Sequence, residues 1–126
     1  MKRIDISFLL LATALLIVGA GLGIKMGASE DFTLTPVHAH LNLAGWASLA
    51  LFGLTYRAYP QMAERPLALY HFIVSATGAV LLPIGIGLAV LKNQPGLAIL
   101  ASMLWLLGVL LFLVQLIGVF RRGDAR

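Results

Sequence analysis

The sequence predicts an all-α membrane protein, a polytopic bundle of four transmembrane helices. Of its 126 residues, 60% are hydrophobic and only 11% are charged, whereas soluble domains carry roughly 25% charged residues. The apolar residues form four stretches, each near the ~20 residues that a helix needs to cross the hydrocarbon core. We place the predicted spans at residues 6–24, 37–56, 67–91 and 97–120, within a single domain over residues 1–126.

The basic residues predict the orientation of this bundle. Only Lys25 and Lys92 fall in the segments on one side of a four-span hairpin arrangement. The others fall on the opposite side: Lys2, Arg3, Arg57, Arg65, Arg121, Arg122 and Arg126. Because cytoplasmic loops carry the excess of Lys and Arg, we expect both termini in the cytoplasm and the protein in the inner (cytoplasmic) membrane of the cell. The net charge of +4 is then a topology signal with some attraction to the lipid bilayer, and we expect no nucleic-acid partner.

Histidine carries any ligand chemistry in this chain, because the sequence contains no cysteine. The lack of cysteine excludes disulfides, thiolate metal sites, iron-sulfur ligation and thiol catalysis. The candidate ligands are therefore the three histidines, His38, His40 and His71.

The first span is predicted to be a retained helix that packs closely on another. It follows a short basic start, as a signal peptide does, but it meets Lys25 and Met26 rather than a small-residue cleavage site. Near its end, Gly19 and Gly23 form a small-xxx-small pair. Such a pair predicts close helix packing, because it lets two backbones approach each other.

The second span begins with a helix-start signal and ends with aromatic residues. After the loop at residues 27–34, Thr35 is predicted to cap the helix, and Pro36 suits its first turn. At the far end of the span, Tyr56 and Tyr59 are predicted in the headgroup layer on the inner side. The residues just after Pro36 are therefore expected near the outer face.

The third and fourth spans form a hairpin. The third begins after Pro66 and contains His71, Ser75 and Pro83, of which the mid-span proline predicts a kink. A polar turn at residues 92–96 then leads into the fourth span. These short connections leave no room for an extramembrane domain.

Two histidines and an asparagine lie at the start of the second span. Because each residue turns an α-helix by about 100°, His38 and His40 are separated by about 200° and face nearly opposite directions. They are poorly placed to bind one metal ion together and well placed to serve two sites. Asn42 lies one turn after His38, where its amide could hydrogen-bond the imidazole or pack at a helix contact. Small residues continue both faces and leave space for a flat group such as a porphyrin or for a neighbouring helix: Ala44, Gly45, Ala47 and Ser48.

His71 is separated from the other two histidines by depth. At about 1.5 Å rise per residue, it lies roughly 18 Å below His40 in the same chain. We expect His71, with Ser75 and Gly78, to form a separate inner-side polar contact or part of a proton or water path. Helix packing is the alternative.

The run from His38 to Trp46, His-Ala-His-Leu-Asn-Leu-Ala-Gly-Trp, resembles the His-X-His helix of the catalytic subunit of heme-copper oxidases and nitric oxide reductases. The resemblance implies that the two histidines reach different hemes on opposite sides of one helix, with His40 ligating the low-spin heme. It also implies that this four-helix chain corresponds to one arc of the family's twelve helices. A homotrimer would rebuild the twelve-helix outline.

The resemblance does not extend to the family's copper site. That site needs an adjacent histidine pair, whereas the third span holds the single His71. We therefore do not expect this chain alone to reduce oxygen or nitric oxide.

Three functions remain open at this point. In the first, the chain binds heme b through His40 and His38, and the heme transfers electrons near the outer face. In the second, histidines from three protomers bind copper or zinc on a threefold axis. In the third, the bundle is structural or holds a proton path, without a cofactor.

Overall fold

The protein is all-helical in the computed structural model, which describes residues 3–123 apart from the side chain of Arg122. Within these residues 88% are helical and none lies in a strand. A π-helical segment, Leu41–Ser48, joins α2 to α3, and a short 3₁₀ turn, Pro60–Met62, follows α3. The α-helices are α1 (Ile4–Ser29), α2 (Thr35–His40), α3 (Leu49–Ala58), α4 (Leu67–Lys92) and α5 (Gly96–Gly123).

Three of the described helices are long and apolar enough to cross a membrane. They are α1, α4 and the Gly96–Arg121 part of α5, which correspond to the first, third and fourth predicted spans. The region predicted as the second span is continuously helical, but it consists of α2, the π-helical segment and α3. Because α2 has 6 residues and α3 has 10, neither is long enough alone. The crossing of the membrane by this region stays a prediction.

The helices run alternately up and down. Gly45 of the π-helical segment lies against Leu15 of α1, whereas Gly53 of α3 lies against Asp5, so these two elements are antiparallel. Gly78 and Gly85 of α4 face α5 in the same antiparallel manner. We call the end of the bundle that holds His38 and His40 the motif end, and the end that holds Tyr56 and Arg65 the opposite end.

The α4–α5 hairpin is the closest helix pair. A Cβ added at Gly78 would lie 2.8 Å from the Trp105 nitrogen, and one at Gly85 would lie 2.7 Å from Ala98 Cα. Only glycine allows these backbone distances, because any side chain would overlap the partner helix. α4 also runs through Pro83 as one helix, Leu67–Lys92.

The helix ends differ from the predictions in one detail. Leu34, not Thr35, is the residue before the first turn of α2, and Thr35 is already helical. Its hydroxyl donates a hydrogen bond of 2.6 Å to the Phe32 carbonyl instead of capping the helix. Pro36 lies in the first turn as predicted, since its missing N–H has no partner to lose there.

Aromatic residues fill the interior near the opposite end. Phe8 of α1 contacts Phe52 at 5.8 Å and Phe72 at 4.9 Å between ring centroids. Phe112 of α5 lies 4.4 Å from Phe52. A smaller cluster of Ala44, Leu82 and Ala101 lies nearer the motif end. The two ends of the bundle therefore hold separate polar sites with apolar packing between them.

Candidate functional site

His38 is held against α1 by a hydrogen bond across the helix pair. Its Nδ1 lies 2.8 Å from the Gly19 carbonyl oxygen. A carbonyl can only accept, so Nδ1 carries the hydrogen and donates it. In the neutral form of the ring, Nε2 is then the unprotonated nitrogen, which is the one that can bind a metal.

Gly19 and Gly23 form the surface on which His38 and Asn42 rest. A Cβ added at Gly19 would lie 2.8 Å from Asn42 Nδ2, and one at Gly23 would lie 2.8 Å from His38 Cε1. The close packing predicted for this glycine pair is confirmed. The pair packs against His38 and Asn42, so the glycines position the candidate ligand His38.

Asn42 hydrogen-bonds the backbone of its own helix. Its Nδ2 donates to the His38 carbonyl oxygen at 2.8 Å and lies 3.3 Å from His38 Nδ1. Because Nδ1 donates to Gly19, the longer contact brings two donors together and contributes little. Of the two predicted roles, packing at a helix contact describes Asn42 better than a bond to the imidazole.

His40 makes its hydrogen bond within its own helix. Its Nδ1 lies 2.8 Å from the Pro36 carbonyl oxygen, which again places the hydrogen on Nδ1. The ring is partly exposed, and Leu43, one turn further along, is 67% exposed. His38 thus faces α1 while His40 lies beside an exposed apolar surface.

The motif leads directly into the π-helical segment. Ser48 Oγ donates to the Leu43 carbonyl five residues earlier at 2.8 Å, in keeping with the wider π-helical turn. Segments of this kind occur frequently at functional sites. Sequence reasoning missed it, because the residues read equally well as an ordinary α-helix.

The small residues after the motif are covered by other helices of the same chain. A Cβ added at Gly45 would lie 3.0 Å from Leu15 Cδ1, and Ala44 is buried beside Leu82 and Ala101. Of the two predicted uses of these residues, contact with a neighbouring helix is the one observed at Ala44 and Gly45. The surface beside His40 is less covered, since His40, Ala47 and Ser48 are all partly exposed.

His71 belongs to a buried hydrogen-bond network at the opposite end. Its Nδ1 lies 3.0 Å from the Tyr56 hydroxyl, and Gln115 Nε2 donates to that hydroxyl at 3.3 Å and to the Met62 carbonyl at 3.4 Å. Arg65 Nη1 donates to Gln115 Oε1 at 3.0 Å. Sequence reasoning identified His71 but none of these partners.

Tyr56 corrects a prediction. The sequence placed it in the headgroup layer, but its side chain is 2% exposed and stacks on Phe8 at 5.7 Å between ring centroids. Tyr59, three residues later, is 44% exposed, and its place in the headgroup layer stays a prediction. The two tyrosines differ because Tyr56 lies on the face of α3 that packs against α1 and α4.

The structure does not bring the three histidines together. The His71 ring lies 5.1 Å from the ring of Phe8, whereas the His38 ring contacts Gly19. Phe8 and Gly19 both lie in α1. At about 1.5 Å per residue, residues 8 and 19 of α1 are roughly 16 Å apart. Within residues 3–123, no group of three or more His, Cys, Asp or Glu residues could hold a metal ion. A metal site made from all three histidines of one chain is therefore not formed.

No protein family model, curated protein or solved structure matches this chain. The resemblance to heme-copper oxidases therefore stays a prediction based on the residues from His38 to Trp46.

Proposed function

We propose that this chain is an integral membrane protein that binds heme b through His40, with His38 of a neighbouring copy as the second axial ligand. The observation that carries the proposal is the hydrogen bonding of the two imidazoles. Each uses Nδ1 to donate to a backbone carbonyl, Gly19 for His38 and Pro36 for His40. Metal-binding histidines characteristically make such a bond, because it orients the ring and leaves Nε2 as the ligand.

The surroundings of His40 suit a large apolar group. Leu43 and Leu51 are 67% and 62% exposed on the same region of the helix, so apolar surface continues from the imidazole. A porphyrin has two apolar faces and would cover such a surface. The bound heme would supply one-electron redox chemistry, and two imidazole ligands would leave no open coordination position. The function that follows is electron transfer rather than oxygen activation.

A second copy of the chain would supply the second axial ligand that a single copy lacks. Divergent imidazoles on one helix cannot share an iron atom, so each needs a ligand from elsewhere. In the proposed assembly, residues 35–58 cross the membrane as a fourth span, and three chains together form a twelve-helix trimer. We place the motif end at the outer face of the inner membrane. Lys25 and Lys92 lie at that end, whereas the opposite end holds more of the arginines.

The visible spectrum of the purified protein tests this proposal. Protein produced with added heme should show a Soret band, and His40→Ala should lose it. Leu43→Ala is the matched control, since it removes an exposed side chain one turn away without removing a ligand nitrogen. The mass of the detergent-solubilised protein should correspond to a trimer.

Metal analysis of the same samples separates heme from the alternatives. Iron in proportion to the Soret band supports heme. The wild-type protein could instead contain copper or zinc and show no Soret band, with the metal lost in His40→Ala. That result would replace the proposal by a non-heme metal site. Background metal in both proteins, with no Soret band, would leave a bundle without a cofactor.

A further inference from the structure

Two polar atoms in the interior have no protein partner. Among the described residues, His71 Nε2 and Ser75 Oγ are the buried side-chain nitrogen and oxygen atoms that make no hydrogen bond. Both residues are 0% exposed, and they lie one turn apart on the same face of α4. Buried polar groups almost always have a partner, so this pair points to a small polar ligand.

Ser75 differs from other hydroxyl residues of the bundle. Its own helix offers it an acceptor, the His71 carbonyl, which it does not use. Its side chain is directed toward Gly108 of α5, where an added Cβ would lie 3.1 Å from Ser75 Cα. By contrast, hydroxyls that donate to the carbonyl four residues earlier are those of Ser7, Thr13, Ser29, Thr55 and Ser102.

The hydrogen bonds around Tyr56 determine what His71 presents to this ligand. Gln115 Nε2 donates to the Tyr56 hydroxyl, so the hydroxyl oxygen already accepts. The buried hydroxyl hydrogen also needs an acceptor, and His71 Nδ1, 3.0 Å away, is the other partner of this hydroxyl among the described residues. With Nδ1 accepting, the hydrogen of the neutral imidazole lies on Nε2. The unpaired atoms are therefore an N–H donor and a hydroxyl that can donate or accept, which together match one water molecule.

Tyr56, whose hydroxyl bonds His71, also borders a cavity. It lines a cavity of about 540 Å³ at the opposite end, whose walls include charged side chains. These charges favour water in the cavity, because ionised groups are costly to dehydrate. The charged residues of the wall are Arg3, Asp5, Arg57 and Glu64.

We propose that one water molecule is bound between His71 Nε2 and Ser75 Oγ. It is the innermost member of a series of hydrogen bonds that runs through His71 and Tyr56 to the cavity. This series gives the buried imidazole a route for hydrogen exchange with water at the opposite end of the bundle. The site shares no residue with the proposed heme ligands, so it stands whether or not heme binds.

Ser75→Ala tests the water site through the sign of its effect on stability. If water bridges the two atoms, the substitution removes one of its partners, leaves the His71 N–H poorly paired and lowers the Tm in detergent. If the hydroxyl has no ligand, its removal relieves a buried unpaired group and the Tm rises or stays constant, which overturns the proposal. Ser102→Ala is the matched control, since Ser102 is exposed and bonded to its own helix, and its Tm should hardly change.

A spectroscopic measurement on the wild-type protein does not depend on how a variant folds. In protein labelled with ¹⁵N-histidine, the His71 signals can be assigned by comparison with His38→Gln and His40→Gln. The proposal predicts a hydrogen on Nε2 and a cross-peak between that hydrogen and water. A hydrogen on Nδ1, or no transfer from water to the His71 ring, would overturn it.

Discussion

Gln115 donates a hydrogen bond to the Tyr56 hydroxyl, although the two residues are 59 positions apart in the chain. The same amide joins three segments, because it also bonds Met62 and accepts from Arg65. Gln115 is 0% exposed, so its amide makes these bonds out of contact with bulk water. This one side chain therefore ties α5 to α3 and to the connection that precedes α4.

Replacement of Gln115 by alanine should destabilise the bundle. The buried Tyr56 hydroxyl and Met62 carbonyl and the partly buried Arg65 guanidinium would each lose a partner. The cost is about 1–3 kcal/mol for each buried group left unsatisfied. Thermal unfolding in detergent measures the effect. Gln94→Ala is the control, since Gln94 is exposed in the α4–α5 turn. Equal Tm values for the two variants would show that the network adds no stability.

Substitution at Gly23 should displace His38. The new Cβ of Gly23→Ala would lie 2.8 Å from His38 Cε1, so either the ring or the helix must move. Overpacking of this kind costs roughly 1–3 kcal/mol. We expect a lower Tm and, in protein that binds heme, an altered Soret band.

Gly21→Ala provides the matched control for that experiment. It lies on the same helix with nothing within 4 Å of the added Cβ. Because alanine favours a helix over glycine by about 1 kcal/mol, its Tm should stay constant or rise. A loss of stability in Gly21→Ala as large as that in Gly23→Ala would contradict the packing explanation.

Removal of His71 should leave cofactor content unchanged. Measured along α1, the level of His71 is roughly 16 Å from the level of His38. His71 therefore takes no part in the proposed heme site. We expect His71→Gln to keep the wild-type ratio of heme to folded protein, whereas His40→Ala loses it. A parallel loss of iron in both variants would indicate that His71 of one copy reaches the site of another.

The α1–α2 loop offers a measurable pKa. Hydrogen bonds from the Thr33 hydroxyl, at 2.6 Å, and the Thr33 backbone N–H, at 3.0 Å, lower the pKa of Asp31 below its ordinary value of 3.8. A lowered folded-state pKa contributes stability above the unfolded value, which is lost as the pH falls through the folded pKa. Carboxyl NMR titration of Thr33→Val should show the Asp31 pKa move upward. An unchanged value would mean that the hydroxyl bond is not formed in solution.

Local pattern was sufficient for much of this protein. The lengths of the apolar stretches predicted the helices, since about 20 apolar residues and short polar turns leave few other arrangements. The divergence of His38 and His40 follows from their spacing alone, because a helix turns by a known angle at each residue. The spacing of the glycine pair in α1 likewise predicts a packing surface without naming its partners.

Only the tertiary structure decided what these elements contact. The sequence does not say that Gly19 and Gly23 hold His38 and Asn42, that Tyr56 lies in the interior, or that Gln115 bonds to it. Such pairings join residues that are far apart in the chain, and they depend on how helices rotate and shift against one another. The π-helical segment also escaped prediction, because its residues favour an ordinary helix equally. The lengths of the apolar stretches thus determined where the chain is helical, and packing determined which side chains meet.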